Sequence, residues 1–305
     1  MQQPLFSVVI PAYNRAHCIH SAISSVQKQT EQHFEIIVID DGSSDGTEQV
    51  VAEISKDEPR LRFIKQENGG ATKARNTGIK ATVGRYIAFL DSDDVFLPHH
   101  LEQARLALGS NEKTCVYTQV IVHRGNNLEF VKPSRGPRPG EHISEYLFCN
   151  HGFVPTITLV VPTKLANEVL YDETVGYGDD MDFAIRLVAA GGDLIMLSKP
   201  SAIWQDIWSE SRLSSAIDPV KRLSWLKTFE PLLTQKAYYA VLGRSVAKGY
   251  SQHGDKLRAF HYYFKSLFHG GFTPKSAVMY FFQITLSNNQ YRKFSDALAK
   301  LGFRP

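Results

Sequence analysis

The stretch Phe34-Glu-Ile-Ile-Val-Ile-Asp-Asp-Gly-Ser-Ser-Asp45 joins an almost continuous apolar run to a polar turn. Such a run is typical of a strand that is buried on both faces of a sheet. The turn carries two adjacent carboxylates, Asp40 and Asp41, followed by a glycine and by residues that commonly precede helices. The stretch therefore predicts a central strand with charged side chains directly after its carboxyl end.

Similar strand and helix signals flank this stretch. Further strands are predicted at Phe6-Ser-Val-Val-Ile-Pro, at Leu61-Arg-Phe-Ile and at Arg85-Tyr-Ile-Ala-Phe-Leu, and helices at His17–Gln29, after Asp45 and at Thr72–Ala81. Strands that alternate with helices at this spacing require right-handed crossovers and a mostly parallel sheet. Ligands of such sheets bind beyond the carboxyl ends of the strands. We therefore predict an α/β, Rossmann-like fold with its site at that edge.

The remainder of the chain is less regular, and its strand signals fade beyond Ser211. Lys132–Gly140 is rich in Pro and Gly and predicts an exposed loop. Helices are predicted at Leu223–Phe229, Tyr238–Tyr250, Lys256–Phe268 and Ser276–Leu286. We therefore expect one α/β domain at residues 1–210 and a helical C-terminal region at residues 211–305.

Composition narrows the class of protein. The hydrophobic share of 43% and the charged share of 21% are ordinary for a soluble globular chain of 305 residues. The three cysteines, Cys18, Cys115 and Cys149, are odd in number and form no C-x-x-C pair, which excludes a disulfide framework and a cysteine zinc site. We find no signal-peptide pattern and no apolar run of about 20 residues, and we expect a cytoplasmic protein.

The net charge of +3 conceals an uneven distribution. Residues 211–305 contain 15 Lys and Arg against 4 Asp and Glu, whereas residues 1–210 contain 19 against 27. The basic region is also rich in aromatic residues, most of which we expect in the core of a small helical domain. Its charge suits the anionic inner face of a plasma membrane. Nucleic acid is not expected, because no recognition motif accompanies the charge.

Four polar clusters follow one another at the predicted strand ends and at one helix start. They are Val9-Ile-Pro-Ala-Tyr-Asn14, Val38-Ile-Asp-Asp-Gly-Ser-Ser-Asp45, Asn68-Gly-Gly-Ala-Thr-Lys-Ala-Arg-Asn-Thr-Gly78 and Phe89-Leu-Asp-Ser-Asp-Asp94. Over residues 6–98 this series closely resembles the donor half of family 2 glycosyltransferases, which have the GT-A fold. The resemblance implies inverting transfer of a sugar from a nucleotide-diphosphate donor, with UDP the default. It makes residues 1–98 the nucleotide-sugar half and residues 99–210 the acceptor half.

Asp91, Asp93 and Asp94 form an acidic cluster at a predicted strand end. Like charges at this spacing repel one another unless a cation neutralises them. Mg²⁺ and Mn²⁺ prefer carboxylate oxygens together with substrate phosphates. An acidic turn before a helix near Pro98 is the alternative. The resemblance implies that Asp93 holds the ribose or the metal, with Asp91 or Asp94 completing the site.

The remaining donor contacts also come from the resemblance. Asp40 or Asp41 would bind the base, whereas Ser44 or Asp45 would cap the following helix. The other nucleotide-sugar contacts implied are Pro11, Tyr13, Asn14, Lys73, Arg75, Asn76 and Ser92. Pro11 and Tyr13 would frame the base pocket. Arg75 could instead be a surface residue of its helix.

A second acidic motif lies downstream, at Tyr177-Gly-Asp-Asp-Met-Asp-Phe-Ala-Ile-Arg-Leu187. It resembles the Glu-Asp catalytic motif of the family, with Asp179 in place of the Glu and Asp180 as the general base. A carboxylate in reach of an acceptor hydroxyl can take its proton, while a metal neutralises the leaving diphosphate. The alternative is an acidic helix N-terminus favoured by the helix dipole, with Asp182 and Arg186 forming a pair.

Two features of the family are uncertain in this sequence. Relatives often carry a late His, but the matching stretch, Ala202-Ile-Trp-Gln-Asp-Ile-Trp-Ser209, has none, so Trp204, Gln205 or Asp206 are its possible replacements. Phe153-Val-Pro-Thr-Ile-Thr158 resembles the acceptor-side strand of the family.

The predicted function is transfer of a sugar to a glycan or lipid-linked glycan, because many relatives build bacterial surface polysaccharides on diphosphate-linked lipids. Such an acceptor would place the protein at the inner face of the membrane, in contact through residues 211–305. A nucleotidyltransferase would need a Gly-rich loop after the first strand, and Pro11-Ala-Tyr-Asn-Arg15 contains no glycine. A nucleotide-binding, catalytically degenerate assembly factor is the other alternative.

Overall fold

A computed structural model of the chain describes residues 3–109, 111–125, 128–176, 178–206 and 217–300. The chain divides into two compact units. The first contains Met1–Arg138, Gly152–Glu173 and Gly178–Trp208, and the second contains Pro139–His151, Thr174–Tyr177 and Ser209–Pro305. The second unit thus includes two short segments that precede residue 210, and the predicted functional division of the chain at that residue stays a prediction.

The first unit is built on one large sheet. Its strands in the described part of the chain are β1 (Phe6–Ala12), β2 (Phe34–Asp40), β3 (Leu61–Lys65), β4 (Tyr86–Phe89), β5 (Val95–Phe96), β6 (Thr114–His123), β7 (Glu129–Lys132), β8 (Val160–Pro162) and β9 (Asp193–Gln205). Their order is β3-β2-β1-β4-β8-β6-β9-β5, with β7 paired to β6. The pairs among β1 to β4 are parallel, as is β6 with β9, whereas β8 is antiparallel to both of its neighbours. The predicted α/β class with a mostly parallel sheet is confirmed.

Helices cover both faces of this sheet. The helices that precede the C-terminal region are α1 (Ile19–Gln27), α2 (Thr47–Ser55), α3 (Ala71–Ala81), α4 (His100–Leu108), α5 (Ile143–Phe148), α6 (Thr163–Val169) and α7 (Asp179–Ala189). All belong to the first unit except α5, which lies in the second. Alternate residues of β2 serve opposite faces, as the pleat of a strand requires: Ile36 and Val38 pack in the core cluster that includes α1, α2 and α4, whereas Ile37 and Ile39 pack with Ala74 of α3.

Gly78 permits the close approach of α3 to the sheet. A Cβ atom at this position would lie 2.3 Å from Cγ1 of Val9 on β1. Because real carbon atoms do not approach so closely, any larger residue would push α3 away from β1. The glycine therefore fixes the position of the helix whose first turns carry Lys73, Arg75 and Asn76.

The C-terminal region is helical, as predicted. Its helices are α8 (Pro219–Phe229), α9 (Gln235–Val241), α10 (Ala247–Gln252), α11 (Lys256–Phe268), α12 (Pro274–Thr285) and α13 (Asn288–Lys300). The single helix predicted at Tyr238–Tyr250 is in fact α9 and α10 joined by a π-helical turn at Leu242–Val246, and α13 was not predicted. None of the helices described has the length and hydrophobicity needed to cross a bilayer.

Candidate active site at the ends of β1, β2 and β4

The loops that follow β1 and β2 are bound to each other through Asn14. Its backbone N–H donates to Oγ of Ser43 over 2.8 Å, and its side-chain Oδ1 accepts from the backbone N–H of Ser44 over 2.9 Å. Asn14 has a left-handed backbone with a φ of 54°, a conformation that asparagine tolerates better than most residues. The side chain predicted to contact the donor therefore holds two loops of the site together.

Asp41 organises the loop that leads into α3. Its carboxylate accepts hydrogen bonds from the backbone N–H groups of Gly69 and Gly70 over 2.9 and 2.7 Å, and from Nε2 of Gln66 over 2.7 Å. The side chain is almost fully buried. A carboxylate that already accepts three hydrogen bonds inside the protein has little capacity left for a ligand. Asp41 thus supports the N-terminus of α3.

Asp40, the last residue of β2, is in a different state. It is fully buried; Oδ1 accepts from the backbone N–H of Ser43 over 3.2 Å, and Oδ2 has no hydrogen-bond partner among the described residues. An unsatisfied buried carboxylate oxygen costs about 1–3 kcal/mol or more. Of the two alternatives for the base contact, Asp40 is therefore the one that retains an acceptor.

The predicted caps of α2 are also resolved. The N-cap position is Gly46, with no side-chain cap, so neither Ser44 nor Asp45 occupies it. Asp45 nevertheless accepts from the backbone N–H groups of Ala16 and Thr47. The carboxylate therefore fixes the loop after β1 to the start of α2, and the hydrogen bond to Thr47 lowers its pKa.

Two predicted donor contacts, Tyr13 and Lys73, are exposed. Tyr13 follows β1 and is about half exposed, and Lys73 lies exposed in the first turn of α3. Pro11 and Ser92 are instead buried, the first within β1 and the second after β4. The exposed pair can reach a ligand through their side chains, whereas Pro11 and Ser92 shape the backbone beneath it.

Arg75 is buried and joins two acidic motifs that are far apart in sequence. Its guanidinium donates to Oδ1 of Asp91 over 2.7 Å and to Oδ2 of Asp179 over 2.8 Å. Burial by itself would lower the pKa of Arg75, but the two carboxylates outweigh burial and raise this pKa above its usual value. Arg75 is therefore not a surface residue of α3: it links the end of β4 to the first residue of α7.

An aromatic cluster surrounds this ion-pair junction. The guanidinium of Arg75 lies 5.4 Å from the ring centre of Tyr171, which stacks on Phe183 of α7 at 3.9 Å. Phe89 of β4 meets both rings edge-on, at 5.7 and 6.0 Å. Burial raises the pKa of Tyr171 above its ordinary value, so this hydroxyl remains protonated. The cluster fixes α7 against β4 with apolar contacts on the buried side of the Arg75 guanidinium.

Asn76 holds the segment that carries Tyr171. Its Nδ2 donates to the carbonyl of Tyr171 and to Oε1 of Glu173, both over 2.9 Å, and its Oδ1 accepts from the backbone N–H of Tyr171 over 2.7 Å. The side chain is buried and its hydrogen-bonding groups are occupied. Asn76 therefore acts as a support for Tyr171, a residue that no sequence motif marked.

The three acidic residues after β4 separate into different environments. Asp91 is one-third exposed and bound to Arg75, and Asp93 is half exposed and lies 3.8 Å from Arg15. Asp94 is buried and accepts from the backbone N–H of Gln205 over 2.8 Å, at the end of β9. A ligand can therefore reach Asp91 and Asp93. The carboxylate of Asp94 instead binds the end of β9.

The fit of these residues to a divalent cation follows from that division. Within the described residues, no three His, Cys, Asp or Glu side chains are placed to hold a metal by themselves. Magnesium sites commonly use one or two carboxylates and complete the shell with water and substrate phosphates. Asp91 and Asp93 fit such a site, which a diphosphate would complete. The assignment of the metal to Asp91, Asp93 and Asp94 stays a prediction.

The first turn of α7 carries the second acidic motif. Asp179 and Asp180 are partly exposed, and Oδ1 of Asp180 accepts from the backbone N–H of Met181 over 2.8 Å. Carboxylates at a helix N-terminus are favoured by the helix dipole. Asp182 is buried and paired with Arg186 over 2.9 Å, as its spacing predicted. The second acidic motif thus starts a helix that is held in place by the ion pair of Asp179 and by the ring of Phe183.

The acceptor-side features differ from the sequence expectation. Thr156–Thr158 forms a short 3-10 turn, and the strand, β8, begins only at Val160, so the strand predicted at Phe153–Thr158 is wrong. Of the residues that could replace the late His, Asp206 is bound to Arg124 over 3.0 Å. Trp204 stacks on Phe153 and lies beneath the ammonium of Lys132. Both have structural partners.

The part of the chain that carries most of these motifs is similar to known proteins. Residues 7–169 match the family described as glycosyl transferase family 2. The amylovoran biosynthesis glycosyltransferase AmsB of Erwinia amylovora is 30% identical over 271 residues, 85% of this chain and 89% of AmsB. The Escherichia coli UDP-Glc:alpha-D-GlcNAc-diphosphoundecaprenol beta-1,3-glucosyltransferase WfgD is 38% identical over 138 residues, 44% of this chain and 54% of WfgD.

Solved structures share the fold. The S. aureus TarS 1–349 structure in complex with UDP-GlcNAc matches with a TM-score of 0.67 and 19% identity, over 97% of this chain and 92% of TarS 1–349. The mannosyltransferase PcManGT of Pyrobaculum calidifontis, in complex with GDP-Man and Mn²⁺, matches with a TM-score of 0.58 and 16% identity, over 99% of this chain and 86% of PcManGT. At these identities the likeness concerns the fold alone.

Proposed function

This chain belongs to glycosyl transferase family 2, and we propose that it moves a sugar from a UDP-sugar to a hydroxyl group of a glycan or lipid-linked glycan, with inversion. The names of two relatives support this choice, since AmsB is described as an amylovoran biosynthesis glycosyltransferase and WfgD as using UDP-Glc on a diphosphoundecaprenol-linked sugar. In this proposal residues 1–98 bind the donor and residues 99–210 bind the acceptor.

The main support for the proposal is that Arg75 forms two ion pairs at once. One guanidinium reaches Asp91 at the end of β4 and Asp179 at the start of α7. Because a guanidinium is only a few ångströms wide, the second acidic motif must lie beside the acidic end of β4. A donor bound at the strand ends would therefore lie close to a carboxylate able to accept the proton of an attacking hydroxyl.

Asp179 and Asp180 divide their roles in this proposal. Asp179 is bound to Arg75, so it holds α7 in place and keeps the charge of Arg75 compensated. Asp180, the next residue, takes the proton from the acceptor hydroxyl as that oxygen attacks the anomeric carbon. Inversion follows when one nucleophile displaces the diphosphate directly from the opposite face of the sugar.

Donor recognition is assigned to the polar groups that retain binding capacity. Oδ2 of Asp40 can accept a hydrogen bond from the base, and the exposed Tyr13 and Lys73 can contact the base and the phosphates. A second set of polar side chains supports the pocket without contacting the donor in this proposal. These side chains, of Asn14, Asp41 and Asn76, hydrogen-bond to the loops that shape the pocket.

A divalent cation, Mn²⁺ or Mg²⁺, is part of the proposal. Asp91 and Asp93 would hold it together with the donor phosphates. When bound, such an ion neutralises the charge that develops on the leaving nucleoside diphosphate. Arg15, which contacts Asp93, is positioned to keep that carboxylate near the end of β4.

A lipid-linked acceptor would bring the protein to the inner face of the membrane. We include that location in the proposal, with contact made through the basic residues 211–305. The protein remains cytoplasmic in this scheme and binds the membrane from one side.

The experiment is a panel of UDP-, GDP- and TDP-sugars assayed for nucleotide release, with Mn²⁺, Mg²⁺ or EDTA. Wild type should release nucleotide from one donor, with the rate falling by about 10²-fold or more in EDTA and in Asp93→Ala. Asp57→Ala is the matched control, because Asp57 is an exposed carboxylate beyond α2. If UDP binds calorimetrically but no donor is turned over with glycan or lipid-linked acceptors, the degenerate assembly factor is the better description. If no nucleotide binds, the donor proposal fails.

A further inference from the structure

Exposed apolar side chains are concentrated on α11 and α12. Of the eleven large hydrophobic residues exposed in the described part of the chain, six lie on these two helices. They are Leu257, Phe264, Leu267 and Phe268 on α11, and Val278 and Phe281 on α12. We call these six residues the α11–α12 apolar surface. Soluble proteins rarely gather so many exposed apolar side chains in one place unless the place binds something.

The geometry of α11 makes this surface continuous. Leu257, Phe264 and Phe268 are separated by seven and four residues, which places them on one side of a helix. Tyr263 lies on the opposite side, in the core with Tyr280 of α12. Phe260 lies between the helices, with its ring 6.2 Å from Phe264 and 6.1 Å from Phe281.

The aromatic residues of this region divide between core and surface. Most aromatic residues of the region were expected in a helical core, and Tyr263 and Tyr280 do lie there. Phe264, Phe268 and Phe281 do not: Phe268 is 82% exposed. Three phenylalanines facing solvent cost free energy that a folded monomer does not recover, which indicates a surface selected for contact.

The charge around the surface is mostly positive. From Lys256 to Thr285 the sequence contains Lys256, Arg258, Lys265 and Lys275 but no Asp or Glu, and Asp255, directly before α11, lies 3.4 Å from Nε of Arg258. A second copy of the chain would bring the same cations together across a two-fold axis, because such an interface uses one patch twice. An anionic lipid surface matches both properties, since aromatic rings suit the headgroup level and cations suit the phosphates.

The dimensions agree with a helix that lies along a bilayer. α11 has 13 residues, fewer than the roughly 20 that a spanning helix needs. It also has two distinct sides, one in the core and one apolar and exposed, with cations at its margins. Such helices bury their apolar side to the boundary of headgroups and acyl chains.

We propose that the α11–α12 apolar surface docks on an anionic bilayer, with Leu257, Phe264 and Phe268 at headgroup depth and Arg258 and Lys265 against lipid phosphates. This inference names the contact surface within residues 211–305, and in that sense it rests on the proposed membrane location. It requires no donor, acceptor or metal. Its failure is therefore distinguishable from a failure of the transfer reaction.

The test is sedimentation of the purified chain with vesicles of phosphatidylcholine, alone or with one-third phosphatidylglycerol, at low and high salt. Wild type should partition at least about tenfold better to the anionic vesicles, and salt should weaken the binding. The double variant Phe264→Ser/Phe268→Ser should lose about tenfold or more of that binding. Val220→Ser is the matched control, because Val220 is exposed on α8 and lies outside the surface.

A second variant keeps the test decisive if the double variant is poorly folded. Phe268→Trp preserves an apolar ring, and its added emission should shift to the blue with anionic vesicles and not with neutral ones. No anionic preference in wild type, or no shift for Phe268→Trp, overturns the proposal. So does a dimer in sedimentation equilibrium that Phe264→Ser/Phe268→Ser dissociates while vesicle binding is unchanged, since the occupant is then a second copy.

Discussion

The ends of β1, β2 and β4 and the α11–α12 apolar surface use charge in opposite ways. At the strand ends, charges of both signs are drawn inward and compensate one another, as Arg75 does with Asp91 and Asp179. On α11 and α12, exposed cations such as Lys265 lie among exposed side chains such as Phe268 that would ordinarily be buried. Some of the acidic residues in the first part of the chain are therefore neutralised by ion pairs inside the protein. In the last part, cations such as Lys265 are exposed to solvent.

The comparison teaches that buried charges, as at the strand ends, and exposed charges, as on α11, are stabilised in different ways. A buried charge persists only where a partner of the opposite sign is in contact. An exposed charge needs no partner, so its role must be sought outside the molecule. The variants below test whether a residue acts through contacts inside the protein or is exposed and acts on its surroundings.

The largest effect on stability is expected from Arg75→Met. The change leaves Asp91 and Asp179 without their shared cation, and breaking a buried pair costs about 3 kcal/mol or more. Denaturant unfolding should show this loss, and donor turnover should fall with it. Lys65→Met is the matched control, because Lys65 and its ion-pair partner Glu48 are both about half exposed, and it should cost less than about 1 kcal/mol. Equal losses for the two variants would contradict a special role for Arg75.

A smaller effect is expected from Asn76→Ala. The substitution removes the hydrogen bonds to Tyr171 and Glu173 and leaves buried backbone groups unsatisfied, at a cost of about 2 kcal/mol. If Asn76 only supports Tyr171, donor affinity should change little while turnover falls. Asn167→Ala, on the exposed side of α6, is the control and should be nearly neutral. A loss of donor affinity without loss of stability would restore the predicted donor contact.

The effect that is smallest at neutral pH, and grows only in acid, is a pH dependence from His100. Burial lowers the pKa of His100 to about 3, so the folded chain keeps this ring neutral while the unfolded chain binds a proton near pH 6.5. Because the unfolded state then holds more protons, stability falls as the pH drops below about 6.5, by about 1 kcal/mol per pH unit. His100→Gln should flatten this dependence between pH 6.5 and 4.

His261 provides the contrast, since it is exposed on α11. His261→Gln is the matched control, because it replaces an imidazole that stays in contact with solvent in the folded chain. If His261→Gln flattens the pH dependence of unfolding as much as His100→Gln does, burial of His100 is not the cause of that dependence.

The sequence predicts the strands and helices of residues 1–98 well because their signals are local. The runs at Phe6 and Phe34 become β1 and β2, and the polar clusters lie at their carboxyl ends. The sequence could not distinguish a polar side chain that binds a ligand from one that binds a loop. Both need the same donors and acceptors at the same strand ends, so only the structure reveals that Asn14, Asp41 and Asn76 hydrogen-bond to neighbouring segments of the chain, and their contact with a donor stays a prediction.

Other features could not be predicted from the sequence because they depend on contacts between residues that are distant along the chain. Tyr171 lies in an irregular segment without a motif, and its partner Asn76 is 95 residues away. The exposure of Phe264 depends on how α11 packs, which composition does not determine. Only the three-dimensional arrangement separates Tyr263, in the core, from its neighbour Phe264.

The measurement that tests the central claim most directly compares Asp180→Asn with Asp179→Asn, in donor turnover with acceptor and in calorimetric donor binding. We predict that Asp180→Asn lowers kcat by about 10²–10⁴-fold with donor affinity nearly unchanged. Asp179→Asn should instead lower stability and reduce turnover less, because it only weakens the hold of Arg75. Full turnover by Asp180→Asn, or loss of donor binding in step with its turnover, would contradict the assignment of Asp180 as the base.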